Sequence, residues 1–308
     1  AFEAWLEVLV PRFDTILGSD GERWSLAKEL TYDVFVKVVR SMKKGKAVGA
    51  GGFSCELIGD APDEMIAVMY DMIMHDLKRG IVSPDWKQVI YVLLKKPGND
   101  GDVVGDRREI ALMAHEMKVL MQTVRWTCYN RVARRVISAQ AGWTAGMGAP
   151  DLALAASAVI QQAKELQHDL YVLYVDLATF FGSIDRGILY AVELWHGVPE
   201  DVLELAMLIF GAADDPEGAV DCKYDSAAGL SPAFKNPRGA LMGDVLSPDK
   251  AKILLNSIVA AIALSARGVR LWGWGAVEQM RTWREIMSLA FADDWRGCFT
   301  DAAEVRKA

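Results

Sequence analysis

The chain has 308 residues, 52% of them hydrophobic and 24% charged, with a formal charge of −7. That composition supplies a sizeable core for one large or two ordinary domains and excludes a disordered or low-complexity protein. It also weighs against a nucleic-acid partner until the charge is divided: residues 1–150 carry +1 and residues 151–308 carry −8. Two tracts in the first half hold bases and no acid. One carries Lys37, Arg40, Lys43, Lys44 and Lys46; the other, Met117 to Pro150, carries Lys118, Arg125, Arg131, Arg134 and Arg135. Taken alone, each is better read as a solvated helix face than as a phosphate-binding surface.

The elements are predicted as follows. Pro62 opens and Gly80 closes an amphipathic helix over 63–79, whose Met65, Met69, Met72 and Ile73 stripe is expected to fill core. Gln88 to Leu94 is a β-rich run that stops at the basic, turn-rich Lys95-Lys96-Pro97-Gly98. Helical patterns follow over about 115–138 and 149–167. Leu170 to Val175 is an apolar strand delivering its end to Asp176, and helices are expected over 186–195 and 200–211. A weaker strand pair surrounds 219–235, another helix starts after Ser247-Pro248, and Ile286 to Ala292 is a last buried strand before Asp293-Asp294. The mixed order predicts an α+β fold. The four cysteines form no CxxC pair and the four histidines lack metal-ligand spacing, so buried thiols and structural imidazoles are expected. The apolar run Ile253 to Ala266 is broken by Asn256, Ser257 and Ser265 and is too short for a bilayer, so no membrane association is expected. No signal peptide stands at the front, and the missing initiator Met at Ala1 is what a segment of a longer polypeptide would show.

Two predicted strands end in carboxylate: Leu173-Tyr174-Val175-Asp176 and Leu289-Ala290-Phe291-Ala292-Asp293-Asp294. Acids at the ends of buried strands require a compensating cation, and a divalent metal suits a pair of adjacent carboxylates. An ordinary hairpin turn would also explain an Asp-Asp dipeptide, as it does for Asp214-Asp215-Pro216.

Phe291-Ala292-Asp293-Asp294 resembles the YxDD-type box of reverse transcriptases, and Asp176 with Phe180-Phe181 resembles their first carboxylate motif. Gly243-Asp244-Val245-Leu246-Ser247-Pro248 resembles the Gly-Asp-x-x-Ser-Pro segment of non-LTR retrotransposon and group II intron enzymes. Lys46 to Phe53 resembles their Lys-x-Pro-Gly-x-Asp-Gly motif, and Lys95-Lys96 followed by Arg108-Glu109-Ile110-Ala111-Leu112 resembles the Lys then Arg-Pro-Ile-Ser-Leu motif. Ala141-Gly142-Trp143 resembles the Gly-Phe segment before the palm. Six motifs stand in the family's order over about 45–295.

The resemblance implies a right-hand polymerase fold: residues 1–168 as fingers with an N-terminal extension, and 169–308 as palm with an antiparallel sheet flanked by helices. An insertion would occupy about 186–236, and the thumb would lie outside the chain. It implies RNA-directed DNA polymerase activity on an RNA template and a DNA or RNA primer, with dNTPs as substrates. Asp176, Asp293 and Asp294 would hold two Mg²⁺ (or Mn²⁺) ions, which in such enzymes stand about 3.5–4 Å apart. Lys95 or Lys96 with Arg108 would hold the triphosphate. Phe181 would reject a ribose 2′-hydroxyl, and Met242 and Gly243 would approach nucleotide or template. Lys43, Lys44, Lys46, Arg131, Arg134 and Arg135 would contact nucleic acid. The compartment would be nuclear for a eukaryotic retrotransposon and otherwise cytoplasmic.

The sequence departs from the family at Val48, Gly51, Glu109, Gly182 and Met242. Two alternatives stand beside the first: an inactive palm that binds RNA or scaffolds a complex, and an RNA-directed RNA polymerase, against which Ala292 and Phe181 argue.

Overall fold

A computed structural model describes residues 12–98, 103, 106–135, 140–212, 214–265, 269–274, 281–286, 288–291 and 294–306. Besides the short helical turns Leu26–Glu29, Asn130–Val132 and Phe180–Ser183, the helices in chain order are α1 (Tyr32–Ser41), α2 (Cys55–Gly59), α3 (Asp63–Lys78), α4 (His115–Val124), α5 (Ala149–Glu165), α6 (Arg186–Trp195), α7 (Glu200–Phe210), α8 (Ser247–Ser265) and α9 (Ala302–Val305). The strands are β1 (Gln88–Lys95), β2 (Arg107–Leu112), β3 (Tyr171–Asp176), β4 (Val220–Ser226), β5 (Gly229–Leu230), β6 (Phe234–Asn236), β7 (Val269–Trp274), β8 (Arg281–Ile286), β9 (Ser288–Phe291) and β10 (Asp294–Phe299). The fold is mixed α+β, with a mixed sheet flanked by helices.

Helix starts follow local chemistry. Thr31 Oγ1 accepts from Val34 N at 3.4 Å before α1, Ser54 Oγ from Leu57 N at 3.1 Å before α2, and Asp185 Oδ1 from Ile188 N at 3.0 Å before α6. Pro62 precedes α3, whose first turn carries Asp63 and Glu64, as the positive end of a helix dipole favours. The predicted helix over 115–138 is α4 continued by a wide π turn, Arg125–Tyr129, and short segments to Arg135.

The chain divides into two compact units built from alternating segments, rather than by one cut after residue 168. The larger holds Phe13–Val132 and Phe181–Lys250; the smaller holds the described parts of Ala133–Phe180 and Ala251–Ala308. In the larger unit β1 lies between β2 (antiparallel) and β4 (parallel), and β4 also pairs with β5 and β6. The expected insertion therefore completes the sheet that β1 and β2 begin. Val89, Tyr91 and Ala111 bury one face of that sheet, where the Tyr91, Tyr224 and Phe234 rings pack with centroids 5.3–6.5 Å apart.

The smaller unit contains an antiparallel sheet in the order β3-β10-β9, and a β7–β8 hairpin. Opposed residues share a face, so Leu173 and Val175 lie with Trp295 and Phe299, and all four pack on Val259 and Ile262 of α8. The other face is covered at Cys298 by Val159 of α5. Towards the Asp176 end it is open: Tyr174 is 66% exposed, with the Arg296 guanidinium 5.2 Å from its ring centroid. A buried apolar strand is expected here; the antiparallel sheet buries the Leu173 and Val175 face and leaves the Tyr174 and Asp176 positions exposed. The predicted strand 286–292 is β9, and the β7–β8 hairpin before it was not foreseen.

Candidate active site

Asp176 ends β3 and Asp294 begins β10, and the two are register partners, a position that brings Cα atoms to about 5 Å in an antiparallel pair. Asp294 is also paired with Phe291, the last residue of β9, so residues 292 and 293 link those two strands. Asp293 lies outside the described residues. Asp176 is exposed, so burial costs its carboxylate little, contrary to the expectation of a buried strand end. Among the described residues no group of three or more His, Cys, Asp or Glu stands together to hold a metal. What fits a divalent cation here is the donor set: an exposed carboxylate on a strand end, opposite a second carboxylate position.

In the larger unit, the β1–β2 register separates two candidates that sequence left as alternatives. Lys95 faces Arg107, and Leu94 faces Arg108. Lys96 N donates to Asp106 O at 2.8 Å and continues the ladder, so strand alternation puts Lys96 and Arg108 on one face and Lys95 on the other. Arg108 is exposed and Lys96 half-buried. Glu109 accepts a 2.7 Å hydrogen bond from Tyr224 Oη, which raises the phenol to about 12, burial being the larger cause and the Glu109 hydrogen bond the next. That bond ties β2 to β4 and gives a reason for an acid where the family motif has proline.

Phe180 is buried, whereas Phe181 is half-buried in the one-turn helix Phe180–Ser183. The Phe181 carbonyl accepts from Ala240 N and the Ile184 carbonyl from Gly239 N, both at 2.8 Å, so the segment 238–244 is hooked onto that helix. Met242 O accepts from Ala111 N at 2.6 Å. Gly243 has φ +123°, and a Cβ there would stand 2.3 Å from the Ala111 carbonyl oxygen. The close approach that requires glycine in this structure is to β2. Gly49 is fixed in the same way, since a Cβ would meet the Met113 carbonyl at 2.1 Å. At Gly51 a Cβ would stand 2.8 Å from Glu116 Oε1, which explains why an acid is absent there.

The basic tracts divide. Lys43 and Lys46 are exposed, and Lys44 is exposed but paired with Asp60 at 2.7 Å. Arg131 bonds the Leu17 carbonyl and lies 3.6 Å from Glu29, Arg134 is exposed, and Arg135 is half-buried. Arg125 pairs with buried Asp249 at 2.5 Å, and burial lowers the Lys118 ammonium. Much of the second tract is spent on folding.

Sequence reasoning missed a buried ionic cluster in the larger unit. Glu193, Asp244 and Lys250 are almost wholly buried, and the Lys250 ammonium stands 6.0 and 5.4 Å from the Tyr190 and Phe210 ring centroids. Tyr129 Oη donates to Glu193 Oε1, and Ser247 Oγ to Asp244 Oδ2 at 3.4 Å; Glu193 Oε2 and Asp244 Oδ1 have no hydrogen-bond partner. Burial pushes both carboxyls up. At Lys250 burial acts against the charge, but nearby groups led by Glu193 outweigh it and raise the ammonium. Arg186 alongside donates to the Gly239, Phe210 and Arg238 carbonyls. The available signal was Glu193 in α6 and Lys250 in α8, charged residues in largely apolar helices.

No protein-family model matches the chain, and no curated protein matches it. The four cysteines are buried thiols outside any disulfide, as expected. No described helix is long and apolar enough to cross a membrane.

Proposed function

We propose that this chain is the fingers and palm of an RNA-directed DNA polymerase of the non-LTR retrotransposon or group II intron type. The observation that carries the reading is the register of Asp176 against Asp294, with a two-residue link between β9 and β10 that contains Asp293. An antiparallel sheet with one face on α8, and its other face open beside Asp176, supports a palm. The six motif segments in family order support the same assignment.

Asp176, Asp293 and Asp294 would hold Mg²⁺. When bound, the ions lower the pKa of a primer 3′-hydroxyl and neutralise charge on the departing pyrophosphate. The chain's own residues supply position and charge. In the larger unit Lys96 and Arg108, on one strand face, suit the oxygens of a triphosphate, Arg108 through a planar bidentate fork. Phe181 is the ring that would reject a 2′-hydroxyl by size.

A second reading, an inactive RNA-binding or scaffolding palm, is favoured by the departures from the resembled motifs at Val48, Gly51, Glu109, Gly182 and Met242. Primer extension separates the readings. The chain is given an RNA template, a DNA primer, Mg²⁺ and either dNTPs or NTPs, with Asp293→Ala alongside. Extension with dNTPs that Asp293→Ala abolishes supports the polymerase. Template binding without extension favours the scaffold, and a preference for NTPs removes the role given to Phe181.

A further inference from the structure

The methionine stripe of α3 fills core only in part, at Ile73 and half-buried Met69. Met65, Val68 and Met72 are 59%, 59% and 63% exposed, and Phe53, Leu57 and Ile81 beside them are 42–54% exposed. Together they line one groove of about 430 Å³ within the larger unit, floored by buried Ile58, Ile66, Ile73 and Trp86. Contiguous apolar exposure on this scale marks an interaction surface rather than scattered surface residues. Methionine side chains are unbranched and polarisable, so the walls can adapt to what enters.

The charges around the groove restrict the occupant. Its lining includes Asp76, Asp85 and Glu116 and contains no Lys or Arg. Glu116 also has a buried carboxylate oxygen, Oε2, without a hydrogen-bond partner. The α3 helix has 16 residues and is thus about 24 Å long. We propose that this groove docks an amphipathic helix of a partner protein, of about four turns, with an apolar stripe and flanking Lys or Arg. The apolar stripe would lie against Met65, Val68 and Met72, and the basic flanks would meet Asp76 and Asp85. A second copy of this chain fits less well, because the chain carries −7 overall and would bring more acid to an acidic groove. An anionic membrane surface is disfavoured for the same reason.

The test uses the full chain and a fluorescein-labelled peptide of leucine and lysine, about four turns long, with leucine at i, i+3, i+4 and i+7. Fluorescence anisotropy should show saturable one-to-one binding. A scrambled peptide of equal composition, and a leucine–glutamate peptide of equal periodicity, should each bind about tenfold more weakly or worse. Met65→Ser/Met72→Ser should weaken binding by about tenfold, with an unchanged thermal melt because both side chains are exposed. Val68→Ser is the independent variant should that pair melt early. Asp76→Asn/Asp85→Asn should weaken binding about threefold and flatten its salt dependence. Equal binding of the three peptides, or undiminished binding to both apolar variants, overturns the proposal. So does a dimer of the chain in sedimentation that Met65→Ser/Met72→Ser dissolves, which would make the occupant a second copy.

Discussion

Two carboxylate-bearing regions solve opposite problems. Glu193 and Asp244 are buried in the larger unit, and the protein supplies their counter-charge itself through Lys250, with Arg186 satisfying the surrounding carbonyls. Asp176 stands exposed at a strand end in the smaller unit, and no described residue forms a salt bridge with it. A buried carboxylate already matched by an ammonium belongs to the architecture. An exposed one facing a second carboxylate position retains the capacity to bind a cation from solution. Burial with an internal counter-charge therefore marks Glu193 and Asp244 as structural, and the acid proposed for chemistry is the exposed one.

The largest effect expected from breaking this contrast is at Lys250. Lys250→Met keeps the bulk but leaves two buried carboxyls without their cation, and should cost about 3–5 kcal/mol in urea unfolding. Gly243→Ala comes next. Its methyl would collide with the Ala111 carbonyl in a conformation with φ +123°, for a loss of about 2–3 kcal/mol. A loss below 1 kcal/mol in either would mean that this region relaxes easily, and the contrast would weaken.

A pH series sharpens the comparison. Burial raises the folded-state Glu193 carboxyl above its ordinary 4.5, so the folded state holds that proton more tightly than the unfolded state. Stability from this group is complete below about 4.5 and is lost as pH rises through the elevated folded value. Glu193→Gln does not titrate, so wild type should lose stability relative to it as pH rises above about 4.5, measured by urea unfolding at each pH. A difference independent of pH would show that the carboxyl ionises as freely folded as unfolded.

Legibility in the sequence followed the range of the interaction. Capping residues and helical periodicity are local, and α3, α6 and α7 begin where the ranges 63–79, 186–195 and 200–211 predict them. Pairing across the chain is not local. Nothing near Val220 signals that β4 will lie parallel to β1, and so residues 186–236 were read as an insertion. Periodicity placed Met65, Met69, Met72 and Ile73 together but could not say which side of α3 the protein covers: Ile73 is buried and Met72 is not. At the candidate site, motif order singles out Asp176, Asp293 and Asp294, whereas Asp244 lies inside a motif that gives no sign of its partners. Glu193 and Lys250 reach it only in three dimensions, through α6 and α8.

The smallest stability effect belongs to Asp176→Asn, and it is the most informative change in the molecule. The side chain is exposed, its strand is held by the Leu173 and Val175 face on α8, and the substitution preserves size. Unfolding free energy should stay within about 0.5 kcal/mol of wild type. If Asp176 is a metal ligand in a nucleotidyl transfer, the same change should reduce Mg²⁺-dependent primer extension by about 100-fold or more, the scale of losing one charge-stabilising group. The paired outcome, full stability with lost extension, is opposite to that expected for Lys250→Met, where activity would fall only as the fold does. If Asp176→Asn instead destabilises the protein by several kcal/mol, the carboxylate is a structural partner like Asp244. The distinction between the two regions would then collapse, and with it the reading of β3 and β10 as a metal-binding strand pair.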